Sequence, residues 1–199
     1  MKSIATVKIG TKYSSSHVNK LFEKLNYPFY CLTDDPSGLH KDIIPIVPKE
    51  IYWPSEETWR TVTYNKITLF DPSLHLENIL YLDLDVVIQK DIDILFREDY
   101  TIVWSYWRDE SEMVYETHRP FCRRTMLNSS VMSWGEPPDE IWEDFAENKY
   151  LIMKQWPGDD VFLYKHLFEY KIYEEGLIDV ENNSNAIILI GETSTGLEY

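Results

Sequence analysis

The sequence predicts an α/β protein with a mostly parallel central mixed sheet flanked by helices, and three observations carry that expectation. Strand-like and helix-like segments alternate from the N-terminus onward, as they do when a sheet is assembled from parallel crossover units. The stretch Asn78-Ile79-Leu80-Tyr81-Leu82-Asp83-Leu84-Asp85-Val86-Val87-Ile88 is apolar on both sides of two carboxylates and reads as one strand buried on both faces. The chain has 199 residues, 44% of them hydrophobic, enough for one sizeable core but not two. A single domain over residues 1–199 is therefore expected.

Taken in order, Ile4 to Gly10 alternates like a first strand and ends at a glycine. Ser14-Ser15-Ser16 can cap a helix whose apolar face is Val18, Leu21, Phe22 and Leu25. Pro28 to Thr33 reads as a second strand, closed by Asp34-Asp35, and Ile43 to Val47 as a third. Pro45 interrupts that third strand and places it near an edge. Pro54-Ser55 opens a helix expected over Glu56 to Phe70, with Trp59, Val62, Ile67, Leu69 and Phe70 inward and Arg60 and Lys66 within it.

After the Asp83–Asp85 strand, Asp91 to Phe96 is a short turn packing Ile92 and Leu95 inward, and Thr101 to Trp107 is another strand. Residues 108–124 are polar and mixed in sign, which suggests a mobile loop. Met126 to Trp134 alternates as a strand or strand–turn, and Glu136-Pro137-Pro138 starts a helix carrying Ile141, Trp142, Phe145 and Ala146 inward. Gly158-Asp159-Asp160 opens a last amphipathic helix through Leu163, Leu167 and Tyr170, and Ala186 to Gly191 is a final buried strand.

The net charge of −15 argues against nucleic acid as a partner, since a polyanion would be repelled. Two cysteines, Cys31 and Cys122, lack metal-ligand spacing. They read as free thiols in a reducing compartment, the cytoplasm, with one long-range disulfide as the alternative. No signal-peptide core precedes the first strand, and no apolar run is long enough to span a bilayer.

The chemistry concentrates at Asp83 and Asp85. Residues two apart on a strand project from one face, so Asp83 and Asp85 are expected side by side where a central strand ends, and two like charges held together in apolar surroundings call for a cation or donors. Hard carboxylate oxygens suit Mg²⁺ or Mn²⁺. The plainer alternative is that one Asp caps a strand end while the other is solvated.

Several motifs then follow in a telling order: the first strand with Tyr13 after it, the Leu32-Thr33-Asp34-Asp35 strand end, a helix with Trp59 and Lys66, Leu80-Tyr81-Leu82-Asp83-Leu84-Asp85, Asn128-Ser129-Ser130-Val131-Met132, and Gly158-Asp159-Asp160. Over roughly residues 4 to 170 the chain resembles the GT-A (Rossmann-like) fold of nucleotide-sugar glycosyltransferases, in particular small bacterial and viral proteins of the glycogenin/galactosyltransferase-like group. The resemblance implies a metal-dependent transfer of sugar from a nucleotide-sugar donor, a UDP-sugar, to an acceptor on a glycan, protein or lipid.

It also implies roles. Asp85 would ligate the metal, and Asp83 would share the ligation or hold the ribose. Tyr13 would stack on the nucleobase, and Asp34 and Asp35 would accept hydrogen bonds from base or ribose. Lys66 would approach the diphosphate or the sugar. Asn128 and Ser129 would hydrogen-bond donor sugar or acceptor, and Asp159 would stand beside the sugar, as base if the reaction inverts.

Two departures bear on these roles. The family's Gly-Asp-Gln is Gly158-Asp159-Asp160 in this chain. A late family histidine, the third metal ligand, has Ile190 as its counterpart in Leu189-Ile190-Gly191. The second departure motivates a rival reading, a nucleotide-sugar-binding protein without turnover. A further rival is a haloacid-dehalogenase-like phosphatase, with Asp83 as nucleophile and Asp85 as acid, because Ser129, Lys154 and Asp159-Asp160 follow in the order that fold requires.

Overall fold

The computed structural model describes residues 1–53, 62–108, 125–156, 158–165, 169–180 and 184–190. The expected helix start with Trp59 and Arg60, the loop 109–124 with Cys122, and Leu167 and Gly191 lie outside those residues. Among the described residues the strands are, in chain order, β1 (Ser3–Lys8), β2 (Phe29–Thr33), β3 (Ile43–Ile46), β4 (Ile79–Leu82), β5 (Val86–Ile88), β6 (Thr101–Trp104), β7 (Leu127–Trp134), β8 (Lys171–Ile172), β9 (Ile178–Asp179) and β10 (Ile188–Ile190). The α-helices are α1 (Ser15–Glu23), α2 (Asp139–Gln155) and α3 (Asp159–Lys165).

A seven-stranded sheet runs β3-β2-β1-β4-β7-β6-β8. Its first four strands are parallel to one another, β7 is antiparallel to both β4 and β6, and β8 is parallel to β6. This is the mostly parallel mixed sheet flanked by helices that the sequence predicts. Pro45 sits on β3, at the edge of the sheet, where its missing N–H costs no ladder bond. A second, three-stranded sheet, β5-β10-β9, stands apart.

Alternate residues of the central strands feed two cores, one on each face. Ala5, Leu32, Tyr81, Met132 and Trp134 pack with Tyr64, Phe70, Phe145 and Phe162 on one side. Ile4, Phe29, Cys31, Leu80, Leu82 and Val131 pack with Val18 and Leu21 of α1, and with Ile188 of the small sheet, on the other. Burial pushes the Cys31 thiol up to about 12, so it stays protonated. No helix among the described residues is long and apolar enough to cross a membrane.

Four expectations need correction. The run through Asp83 and Asp85 is not one strand: β4 ends at Leu82, β5 begins at Val86, and the two belong to different sheets. Residues 62–70 form a 3-10 segment, not the amphipathic α-helix expected there, with every residue from Tyr64 to Phe70 buried. Asn65 holds that segment by accepting from Tyr52 N and donating to Tyr52 O (3.0 Å each), and all-round burial leaves no polar face for an amphipathic helix to expose. The strand from Thr101 stops at Trp104 instead of reaching Trp107. Ala146 is exposed, and α2 buries Ile152 and Met153 further along instead.

One glycine follows β7 in a place no side chain fits. A Cβ on Gly135 would stand 2.8 Å from the Glu98 carbonyl oxygen, to which Gly135 N already donates at 2.8 Å. Gly135→Ala is expected to lower stability by about 2 kcal/mol through this backbone clash, measured from urea unfolding. An unchanged midpoint would show that the Glu98 backbone yields freely.

Candidate active site

The two carboxylates occupy the corner where the chain leaves one sheet for the other. Thr6 Oγ1 donates to the Leu82 carbonyl at 2.8 Å, closing the end of β4, and Asp83 N donates to Ser130 O at 2.9 Å. Leu84, between the two acids, is buried in the α1-side core. The corner thus sends its apolar residue inward and holds Asp83 and Asp85 half-buried, with side-chain exposures of 23% and 20%.

Asp83 is gripped from below. Lys66 Nζ donates to its Oδ2 at 2.9 Å, and the buried Tyr81 hydroxyl donates to its Oδ1. Lys66 is only 7% exposed and also reaches Ser129 Oγ (3.0 Å) and Ser129 O (3.4 Å). Lys66 is thus a buried cation and not a solvated surface side chain. Burial alone would lower its pKa, but Asp83, Asp159 and Asp160 outweigh that and hold the ammonium above its usual range.

Ser129 reaches this cluster because β7 bulges. Ile102 pairs with Met132, yet Val103 pairs with Asn128, so Ser129, Ser130 and Val131 have no partner on β6. A bulge re-aims side chains in this way. Ser129 Oγ donates to Asp159 Oδ2 at 2.6 Å and Ser129 N to Asp160 Oδ1 at 2.8 Å. Asn128 Oδ1 accepts from Ser130 N at 2.9 Å and props the bulge from the side. Gly158-Asp159-Asp160 opens α3 as expected, and its two acids are drawn under the bulge instead of merely capping the helix.

Asp159 is 2% exposed and lies 4.0 Å from Lys66 Nζ, while Asp160 is less deeply buried. Burial first, then the Asp159 charge, pushes the Asp160 carboxyl up to about 6. The unfolded value lies at about 3.9, so between the two the folded chain binds more protons and stability falls as pH rises. Two pKa units correspond to about 3 kcal/mol at most. Asp160→Asn is expected to remove this slope between pH 4 and 6 in urea midpoints. An unaltered slope in the variant would mean that the proton resides on another group.

Asp85 has different company. Tyr13 Oη donates to its Oδ2 at 2.9 Å, and Lys12 Nζ lies 4.0 Å away. Asp34, at the end of β2, accepts from Gly10 N at 3.0 Å and faces Lys8 Nζ at 3.7 Å. Asp35 is exposed and accepts from Ser37 N at 2.9 Å, a local turn bond. The structure thus gathers Lys66, Asp83, Ser129 and Asp159 into one array, ties Tyr13 to Asp85 beside it, and sets Asp34 and Asp35 at the neighbouring strand end. Lys12 and Tyr81 escape a reading of the sequence. Tyr81 lies two residues before Asp83, which was the available signal, whereas nothing in sequence marks Lys12.

A cleft of about 110 Å³ opens over this array, lined by Val7, Ile9, Lys12, Tyr13, Lys66 and Asp83 among others. Asp83, Asp85, Lys12 and Lys66 line it, and with the buried Asp159 4.0 Å from Lys66 the site carries excess negative charge. That charge and the hard oxygen donors fit a divalent cation. No cluster of three or more His, Cys, Asp or Glu groups suited to a metal occurs among the described residues, so the fit needs oxygens from a bound ligand or water. Ile190, which the sequence resemblance sets against the family's late histidine, pairs opposite Val86 and is buried.

The family model described as glycosyl transferase family 8 matches residues 8–124, more than half of the chain. The chain belongs to glycosyl transferase family 8. Family 8 membership places it among the sugar-transferring enzymes, and solved structures agree on the GT-A fold. Galactosyltransferase LgtC, solved with donor and acceptor sugar analogues, superposes with a TM-score of 0.60 at 14% identity, over 94% of this chain and 86% of that one. A glycosyltransferase involved in glycosylation of the major capsid of PBCV-1 gives 0.57 at 12% identity, over 94% and 93%. The glycosyltransferase GlyE of Streptococcus pneumoniae TIGR4 gives 0.57 at 14% identity, over 89% of this chain and 46% of that one. No curated protein matches at a significant level.

The haloacid-dehalogenase reading finds no footing in this family 8 fold. Lys154 is exposed near the end of α2, and the ammonium beside Asp83 is that of Lys66.

Proposed function

We propose that the chain transfers a sugar from a nucleotide-sugar donor, UDP-linked, to an acceptor hydroxyl on a glycan, protein or lipid, with Mn²⁺ or Mg²⁺ bound at Asp83 and Asp85. The observation that carries this reading is the array of Lys66, Asp83, Ser129 and Asp159 beside Asp85, at the C-terminal ends of parallel strands where open α/β sheets bind ligands.

Asp85, with Asp83 next to it, would hold the cation. When bound, the cation neutralises charge on the departing diphosphate. Lys66 serves the same end as a fixed cation, and the hydrogen bonds it donates to Ser129 and Asp83 keep its ammonium in place before substrate arrives. Tyr13, Asp34 and Asp35 flank the nucleoside end of the cleft. Asn128 offers its amide nitrogen to donor sugar or acceptor, while Ser129 acts by holding Lys66 and Asp159. Asp159 is the catalytic carboxylate. If the reaction inverts, Asp159 with Asp160 accepts the acceptor proton, and burial with the Asp159 charge holds the Asp160 carboxyl up at about 6, where it can take a proton more readily than an ordinary carboxylate.

The test is release of UDP from UDP-sugars by the full chain with Mn²⁺. Turnover that stops on chelation and falls by about 100-fold or more in Asp159→Asn supports the reading. The buried Ile190 favours the second reading, a binder without turnover. UDP binding with Mn²⁺ but no UDP release over long incubation would establish that one instead.

A further inference from the structure

Two ammonium groups line the cleft, and their charges are compensated very differently. Lys66 is buried and shared among Asp83 at 2.9 Å, Ser129 Oγ at 3.0 Å and Asp159 at 4.0 Å, so two carboxylates already offset it. Lys12, in the loop after β1, lines the same cleft. Its side chain is 58% exposed, and Asp85 Oδ2 stands 4.0 Å from its Nζ, beyond hydrogen-bond reach.

The Lys12 ammonium also lies 4.7 Å from the centre of the Tyr13 ring, a cation–π distance, while the Tyr13 hydroxyl donates to Asp85 at 2.9 Å. Lys12 therefore rests against two groups to which the donor reading gives other partners, Asp85 to the metal and Tyr13 to the nucleobase. A divalent cation on Asp85 repels an ammonium held so close. Displaced from there, the ammonium keeps the reach of its flexible four-carbon stem, and the anion that arrives with the metal is the donor's diphosphate.

We propose that Lys12 is a diphosphate-binding residue: it stands in for the metal at Asp85 in the ligand-free chain and passes to the donor's diphosphate when metal and donor bind. The assignment rests on the donor reading above and adds a cation exchange to it. Among the described residues no third His, Cys, Asp or Glu joins Asp83 and Asp85 to complete a metal site, and Lys12 competes for the carboxylate the metal needs. A bound diphosphate draws Lys12 away and supplies oxygens of its own. Metal and diphosphate thus tighten each other's binding, and that coupling is reciprocal. Lys66 is unsuited to this part, because moving its ammonium strands Asp83 and Asp159.

The test measures Mn²⁺ binding to the nucleotide-free full chain by electron paramagnetic resonance. Calorimetry then follows UDP and, separately, inorganic pyrophosphate, each with Mn²⁺ in excess. Lys12→Gln is expected to weaken UDP and pyrophosphate alike by roughly 10-fold or more, the worth of one hydrogen bond to a charged group. In the nucleotide-free chain the same variant should bind Mn²⁺ about two- to fivefold tighter, because an exposed ion pair no longer competes. Lys12→Arg keeps the charge and should hold UDP affinity within about threefold of the natural chain. Lys41→Gln makes the same charge change at an exposed side chain beside Asp42 and should move none of these quantities. Unchanged UDP and pyrophosphate affinity in Lys12→Gln, or an equal loss in Lys41→Gln, overturns the assignment while the donor reading stands. Mn²⁺ binding that fails to rise in nucleotide-free Lys12→Gln overturns the exchange. A natural chain that binds neither UDP nor pyrophosphate overturns the donor reading and this assignment with it.

Discussion

Lys66→Met is expected to cost roughly 3–5 kcal/mol of folding stability and to abolish sugar transfer. The side chain is buried, and its ammonium is shared between Asp83 at 2.9 Å, Ser129 Oγ at 3.0 Å and Asp159 at 4.0 Å. Methionine fills much of the volume but leaves Asp83 and Asp159 facing Asp160 without a cation. Breaking a buried ion pair from one side is costly because the remaining charge is stranded. Urea unfolding at neutral pH measures the loss, which should shrink in acid as the stranded carboxyls take up protons. A variant as stable as the natural chain at neutral pH would mean that these acids are already neutral there, and the electrostatic account of the site would fail.

Asp85→Ala is expected to do the reverse: little harm to the fold, and loss of metal-assisted nucleotide binding. Asp85 lies in a turn, half-buried, and its neighbours Tyr13 and Lys12 come from the loop after β1. Its removal opens no core but takes away the acceptor of the half-buried Tyr13 hydroxyl and the carboxylate near an exposed ammonium, so apo stability should change by about 1 kcal/mol or less. UDP affinity in the presence of Mn²⁺ should fall by about 100-fold or more, since even outer-shell partners of a metal site are worth 10- to 100-fold. Retained Mn²⁺-dependent UDP binding in this variant would remove Asp85 from the metal site. Asp83→Asn is a poor substitute for this experiment, because Asp83 also receives Lys66 and Tyr81 and its loss would unsettle the fold.

Much of the framework was legible from residue pattern alone. The apolar runs of β1, β2 and β4 are short and buried on both faces, and β7 alternates along its length, so each favours a strand. Pro45 announced its edge, and Ser14 its helix start, with Ser14 N donating to His17 Nδ1 at 3.1 Å. The division of Asn78 to Ile88 between two sheets was not legible. Continuous hydrophobicity looks the same whether a strand proceeds straight or turns a corner. The two-residue strands β8 and β9 carry too few residues for any period to show.

At the site the same boundary holds. That Asp83 and Asp85 are an unusual pair, and that Asn128-Ser129 and Asp159-Asp160 are polar interruptions of apolar elements, is written in the chain, because charge inside a hydrophobic run needs a reason. Which of these groups meet is decided only by the tertiary fold. The β7 bulge, the burial of the 3-10 segment and the start of α3 bring Lys66, Ser129 and Asp159 under Asp83 from positions 17 to 76 residues away in sequence. Distances of that kind arise from packing three elements against one sheet face, and no local pattern encodes them. The sequence by itself determined the composition of the site and the sheet that carries it. Only the tertiary structure decided that Asp83 is held by a buried lysine, that Asp85 is held by Tyr13, and that Lys12 stands beside Asp85, since each is a contact between segments that meet only after folding.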